Sequence, residues 1–357
     1  MEKRNTVFIG CDLGDRFSEV CVLDGAGAVV DQSRVCTTQR GLRSYMARFD
    51  RACVVVEAGV HSRWVADLVE GLGHRVVVAN PRQVRLIWQR RTKTDRSDAL
   101  LLARLGRADL QLLAPVQHRS RGKQVDLTAL RSRDILIGAR TKLVNHVRGT
   151  LKPFGLRVED CRTEAFPDRA EGTIPPELLA ALAPVLAAIR TINEQIAQHD
   201  RQIEQTAATV YGETTRRLTQ VDGIGTITAL AFQLTLDDPK RFRKSRFVGG
   251  FLGLVPAKDQ SGDLDPQRHI TKTGDAFVRR LLVQCAQYLL GPFGSDSDLR
   301  RWGLRLAERG GKNAKKRAVI AVARKLAVLL HRLWLSGERY QPIGYASRAL
   351  TRLEANP

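Results

Sequence analysis

The chain has 357 residues, with 58 Lys and Arg against 37 Asp and Glu, a formal charge of +21. At 43% hydrophobic and 27% charged residues it is long enough and apolar enough for two cores, which excludes a collagenous or generally disordered chain. No apolar run approaches the roughly 20 residues that span a bilayer, and MEKRNTVFIG lacks a signal-type apolar core, so a cytoplasmic protein with no membrane partner is expected.

From the amino end, TVFIGC ends at Asp12, Ser18 to Leu23 forms a second apolar run, and Ala28-Val29-Val30 a third, with glycine-bearing turns between them. This pattern predicts antiparallel hairpins. ACVVVEA predicts a buried strand ending at Glu57, followed by a helix over about 62–71 and a strand over 75–80, a strand-helix-strand unit. Thr94 is a plausible cap for a helix carrying Asp95, Asp98 and ALLLARL. Residues 126–151 and 176–211 read as two long helices forming an antiparallel pair, joined by the proline-bearing segment 157–176. After Thr219 the chain is glycine-punctuated, basic and largely helical. The six cysteines, Cys11, Cys21, Cys36, Cys53, Cys161 and Cys285, lack metal or redox spacing and are expected as buried thiols.

The excess charge sits in two stretches. Arg82 to Arg148 holds 16 basic and 5 acidic residues, and Arg300 to Arg339 holds 12 and 2, so the rest of the chain is balanced. Clustered cations are rewarded by counterion release on a polyanion, which favours nucleic acid as partner.

Asp12 ends the first strand and Glu57 the fourth, and Asp95 and Asp98 lie three apart at a helix start. Carboxyl ends of neighbouring strands face a common edge, which gives four carboxylates a route to converge. Such a cluster suits Mg²⁺, or Mn²⁺, which takes oxygen ligands and works with phosphates. The plainer reading, a turn acid and a capping pair, stays open on spacing alone. His61, His146 and His269 have no partner at a ligand spacing and support neither a zinc site nor a serine hydrolase.

VFIGCDLGDRFSEVCVLD, VVVEAG, NPRQVR and KTDRSDALLLARL closely resemble the RuvC-like, ribonuclease-H-type domain of DEDD transposases in the IS-one-ten family of insertion sequences, with Asp12, Glu57, Asp95 and Asp98 on the matching carboxylates. VDGIG, RFVGGFLGLVP, ITKTGDAFVRRLL and GKNAKKRAVIAVARKLA follow in that family's order, so the resemblance runs from about residue 7 to 336. It implies a ribonuclease-H/RuvC-like mixed-sheet catalytic domain over 1–115. A coiled-coil-like helix pair would follow over 116–212, then a mainly helical C-terminal domain over 213–340 and a tail over 341–357. Ser261, by residue type a turn serine beside glycine, falls on the family's proposed nucleophile, which implies a covalent phosphoserine intermediate in a composite site with the carboxylates.

Nucleic-acid contacts are expected from Arg90, Arg91, Lys93, Arg131, Arg133 and Lys142 in the first basic stretch. Lys272, Arg279 and Arg280 are expected to contribute near Ser261, as are Lys312, Lys315, Lys316 and Arg317 in the second stretch. Gly223 and Gly225 resemble a helix-hairpin-helix turn whose amides hold a phosphate, with a plain turn as the alternative. The implied activity is DNA transposition guided by an element-encoded structured RNA, in a dimer or tetramer assembled on DNA. The alternatives are an inverting recombinase of the Piv type, a nuclease using the same carboxylates with water, and an architectural binder with a decayed site.

Overall fold

A computed structural model describes residues 7–82, 84, 94–260, 266, 268–311 and 313–344. The chain divides into two compact units, Met1–His118 and Arg119–Pro357.

In the first unit β1 (Val7–Asp12), β2 (Phe17–Leu23), β3 (Val29–Cys36), β4 (Ala52–Glu57) and β5 (Arg75–Ala79) form one sheet in the order β3-β2-β1-β4-β5. The hairpins make β1, β2 and β3 antiparallel neighbours, whereas β4 runs parallel to both β1 and β5. The unit is therefore a mixed α/β fold. Successive side chains of a strand point to opposite faces. Ile9, Cys11, Val54 and Val56 consequently pack with Leu42 and Met46 of α1 (Gln39–Met46) and with Val65 and Val69 of α2 (Ser62–Glu70). Cys53, Val55 and Val77 face the other way, onto Leu101, Leu102 and Leu105 of α3 (Asp95–Ala108). A sheet covered on both faces explains why β4 reads as an unbroken apolar run.

α3 makes a close backbone approach to the sheet at Gly10. A Cβ at Gly10 of β1 would stand 2.0 Å from the Ala99 carbonyl oxygen and 2.4 Å from the Ala103 nitrogen, so helix backbone lies directly on strand backbone there. Gly10→Ala is expected to cost about 1–3 kcal/mol, because the obstructing atoms are backbone and cannot rotate aside. A urea midpoint unchanged from the parent protein would contradict this packing.

The second unit is helical. α4 (Arg121–Leu151) and α6 (Pro176–Thr209) run antiparallel: Tyr211 donates to Asp126 at 2.7 Å, Arg133 pairs with Asp200, and Arg140 donates to Asn193 at 2.9 Å. At one end of the pair Val147 and Leu151 meet Leu182, Leu186 and Phe166, the last from the short α5 (Phe166–Glu171). At the other end Leu127, Leu130, Ile203 and Ala207 join the large core built around α8 (Thr226–Leu236), α10 (Ala276–Leu290) and α12 (Ala314–Ser336). The helix pair is thus continuous with the C-terminal core, since its own apolar residues complete that core. Every residue of α8 from Thr228 to Leu236 is buried, as expected for a helix apolar all round. α6 is long and apolar enough to cross a bilayer by length and composition, yet its buried Leu182, Leu186 and Ile203 belong to these two cores. The elements α7 (Gly212–Leu218), α9 (Arg246–Phe251) and α11 (Asp298–Ala307) complete the unit.

The thiol expectation needs a correction. Cys11, Cys21, Cys53 and Cys285 are buried, but Cys36 is exposed and Cys161 half-buried. Cys36 ends β3, which is an edge strand of the sheet among the described residues.

Candidate active site

The first unit presents carboxylates at one edge of its sheet. β1 and β4 are in parallel register through the pair Cys11↔Val56, and the next residue on each strand is Asp12 and Glu57. Both acids are half-buried where the strands emerge from a fully buried interior. Because Ala99 rests on Gly10, the first turn of α3 is held beside β1, with Asp98 next to Ala99 in sequence and Asp12 two residues beyond Gly10.

Thr94 caps this helix in a reciprocal box: its side chain accepts from the Ser97 amide at 3.2 Å, and the Ser97 hydroxyl accepts from the Thr94 amide at 3.3 Å. The capping role that would explain away the two aspartates is filled by a neighbour. Asp95 is exposed at the first helical position and Asp98 half-buried at the fourth. Carboxylate oxygens are the right donors for a hard cation, and Asp12, Glu57 and Asp98 share this edge. Among the described residues, however, no group of three acids, histidines or cysteines is gathered closely enough to hold an ion.

The surroundings define what the neighbours can do. Burial, with the Asp12 charge added, pushes the Cys11 thiol up to about 12, so Cys11 stays protonated and is a core residue. His61 accepts at Nδ1 from the Trp64 indole at 3.1 Å, which leaves Nε2 to face Asp15 at 3.4 Å. His61 is thereby a loop-bracing residue, in keeping with its lack of a metal-ligand spacing.

In the second unit, Ser261 lies outside the described residues, as do Arg90, Arg91, Lys93 and Lys312. The described residues on either side of Ser261 are tied together as a stem. Pro256 and Ile270 form an antiparallel bridge, the Ala257 amide donates to His269 at 2.9 Å, and the Thr271 amide donates to Val255 at 2.9 Å. The stem is tied to the core by charge. Asp275 caps α10 by accepting from the Val278 amide at 3.0 Å, and its other oxygen accepts from Arg131 at 2.6 Å with Arg119 at 3.7 Å. Arg279 donates to the carbonyls of Leu252 and Thr273, each at 3.0 Å.

Several of the residues expected to meet nucleic acid also have partners within the fold. Arg279 donates to backbone carbonyls and half-buried Arg133 pairs with Asp200, while the more exposed Arg131 and Arg280 pair with Asp275 and Asp134. Lys142, Lys272, Lys315, Lys316 and Arg317 are exposed. Gly223 has φ 77° in the turn between α7 and α8, Gly225 caps α8, and Asp222 accepts from the Ser295 amide at 2.7 Å. Beside that turn is a cavity of about 540 Å³ lined by Asp222, Gly223, Gly225 and Tyr288.

Comparison with known proteins accounts for both units. A transposase family model, that of the DEDD transposases of the IS110 group, matches residues 9–155, and the model of the transposase IS116/IS110/IS902 family matches residues 215–296. A probable family 20 transposase of Pseudomonas aeruginosa is 30% identical over 344 residues, covering 94% of this chain and 98% of that protein. The transposase for insertion sequence element IS1111A of Coxiella burnetii is 28% identical over 93% of this chain and 91% of its own length. A pilin gene-inverting protein of Moraxella bovis is 26% identical over 77% of this chain and 78% of its own. The chain belongs to the IS110 family of transposases and is a transposase-type recombination enzyme.

Proposed function

We propose that the protein cuts and rejoins DNA strands with Asp12, Glu57, Asp95 and Asp98 holding divalent metal and Ser261 as nucleophile. The observation that carries this reading is the paired end of β1 and β4, with the acidic first turn of α3 seated beside it through Gly10. The strand order β3-β2-β1-β4-β5, with two antiparallel and two parallel junctions, supports a ribonuclease-H/RuvC-like domain. A DEDD transposase family implies a divalent metal, and the oxygen-only donor set suits Mg²⁺, with Mn²⁺ able to replace it. When bound, the metal would supply Lewis-acid stabilisation of charge on the phosphoryl oxygens.

The chain's own residues do the rest. Ser261 Oγ attacks phosphorus, an Oγ–P bond replaces one P–O bond of the strand, and the departing strand end leaves as a hydroxyl carrying the proton. The second strand end reverses the exchange, its hydroxyl attacking the phosphoserine and returning the proton to Oγ. Asp275, Arg131 and Arg279 position the stem of the serine loop on the core. Guidance by a structured RNA encoded by the element leaves sequence choice to base pairing, so the protein reads shape and phosphate. Two or four copies assemble on the DNA.

An inverting recombinase is the second reading, favoured by the match to the Moraxella bovis pilin gene-inverting protein. It uses the same chemistry on two sites in one molecule. The test is a plasmid carrying the element, supplied with the adjacent non-coding transcript, purified protein and Mg²⁺. Joined donor–target products are expected only when protein, transcript and metal are all present, whereas cleaved ends that never rejoin would make the protein a nuclease. Binding is expected to weaken steeply with salt, at about 0.9 in log–log slope per phosphate contact on duplex DNA. A nearly flat slope would remove nucleic acid as the partner of the two basic stretches.

A further inference from the structure

The second unit contains a groove of about 1470 Å³ between α11, α12 and the stem residues Pro256 and His269. Gly303 of α11 makes it possible. A Cβ there would lie 2.5 Å from Val322 and 2.7 Å from Leu290, so α11 presses onto its neighbours at this point. Trp302, Arg305 and Leu306 recur at helical spacing along the face of α11 that lines the groove, and Arg309 lines it from the turn that follows the helix. Ala314, Arg317, Ala321, Lys325 and Val328 do the same on α12.

The lining is of two kinds. Ten Lys and Arg residues line the groove against one acid, Asp298, which accepts from the Gly344 amide at 2.9 Å; of the ten, Arg268 and Arg301 pair with Asp259 and Asp296. Among the described residues, none of Arg305, Arg309, Lys316, Arg317 and Lys325 has a carboxylate partner. Lys325 Nζ stands 3.7 Å from the centroid of the Trp302 ring. Partial burial, and then the neighbouring Arg305 charge, pull the Lys325 pKa down. Cations crowded without counter-charge gain when an anion arrives. The other component is apolar: Leu299, Leu306, Ile320, Val328 and Leu329 also line the cavity.

An occupant matching both components carries a chain of negative charges and apolar, flat groups beside them. Duplex DNA offers its phosphates but keeps its bases inside, and would leave the apolar floor unmatched. An unpaired strand offers both. The volume also exceeds the roughly 300–1,000 Å³ of a small-molecule site, which favours several linked nucleotides over one. We propose that this groove is a binding site for single-stranded nucleic acid, with phosphates on its cationic walls and unpaired bases against its apolar floor and Trp302. The proposal rests on the recombinase reading, in which strands are unpaired during exchange, and assigns that strand a place.

The test uses the full chain and a fluorescent twelve-nucleotide oligothymidine, with a twelve-base-pair duplex for comparison. Arg305, Arg309 and Arg317 are exposed, so changing all three to Gln removes charge without opening the core. Anisotropy is expected to show at least a tenfold loss for the single strand and under threefold for the duplex. The log–log salt slope for the single strand should fall by about 2, at roughly 0.7 per phosphate contact. Oligothymidine should also quench tryptophan emission in the parent protein and lose most of that quench in Trp302→Phe. Unchanged single-strand affinity in the triple variant, equal losses for strand and duplex, or displacement of the strand by polyglutamate at equal charge would each overturn the assignment. Strand transfer by the parent protein is scored separately. Its absence beside selective single-strand binding would defeat the recombinase reading and leave the groove standing.

Discussion

Asp12→Asn and Glu57→Gln are each expected to lower strand transfer in Mg²⁺ by at least about 100-fold while changing nucleic-acid affinity by less than threefold. The acids act on metal, and phosphate is held by cations elsewhere, so catalysis and binding separate. Both replacements keep side-chain shape, which isolates the charge. A second measurement does not depend on activity. Like charges held at one edge repel, so removing one should leave Tm unchanged or raise it, whereas Mg²⁺ should raise the Tm of the parent protein and fail to raise that of the variants. Normal strand transfer by either variant, or an equal Mg²⁺ shift in both variants and parent, would show that the paired strand ends carry a structural turn and a cap.

Ser261→Ala is expected to remove the covalent protein–DNA adduct and the joined product together. The loss should be complete in the adduct assay, because no other hydroxyl substitutes for a missing Oγ at the same place, and folding should change by about 1 kcal/mol or less. Denaturing the reaction during turnover and sequencing the modified peptide decides the matter. An adduct on a different residue, or full joining by Ser261→Ala, would leave the carboxylates as a water-activating nuclease site. Ser261→Cys separates the two roles further, since a thiolate keeps nucleophilicity and is expected to retain a trace of adduct.

Several features were readable in the chain by itself, for reasons of local physics. Short apolar runs and glycine turns marked β1, β2 and β3. The apolar run ending at Glu57 marked a buried strand, apolar residues at three- and four-residue steps marked α4, and an Ala-, Ile- and Gln-rich stretch marked α6. Asp12, Glu57, Asp95 and Asp98 could each be placed at a strand end or a helix start because those are local events. Spacing alone left a turn acid and a capping pair open, and only the family resemblance joined the four.

What tertiary structure decided is how distant segments meet. Gly10 reads as one more small residue until the backbone of Ala99 is found against it, a contact that holds the first turn of α3 beside β1. The basic stretches looked alike in sequence, yet Arg131, Arg133, Arg279 and Arg280 serve Asp275, Asp200, backbone carbonyls and Asp134, because acids far along the chain come to face them. Composition counts charges; the fold decides which of them already have partners. Arg305, Arg309 and Lys325 attracted no separate notice in the sequence. They become a groove wall when Gly303 lets α11 press onto Val322 and Leu290, a distance that no single helix can encode.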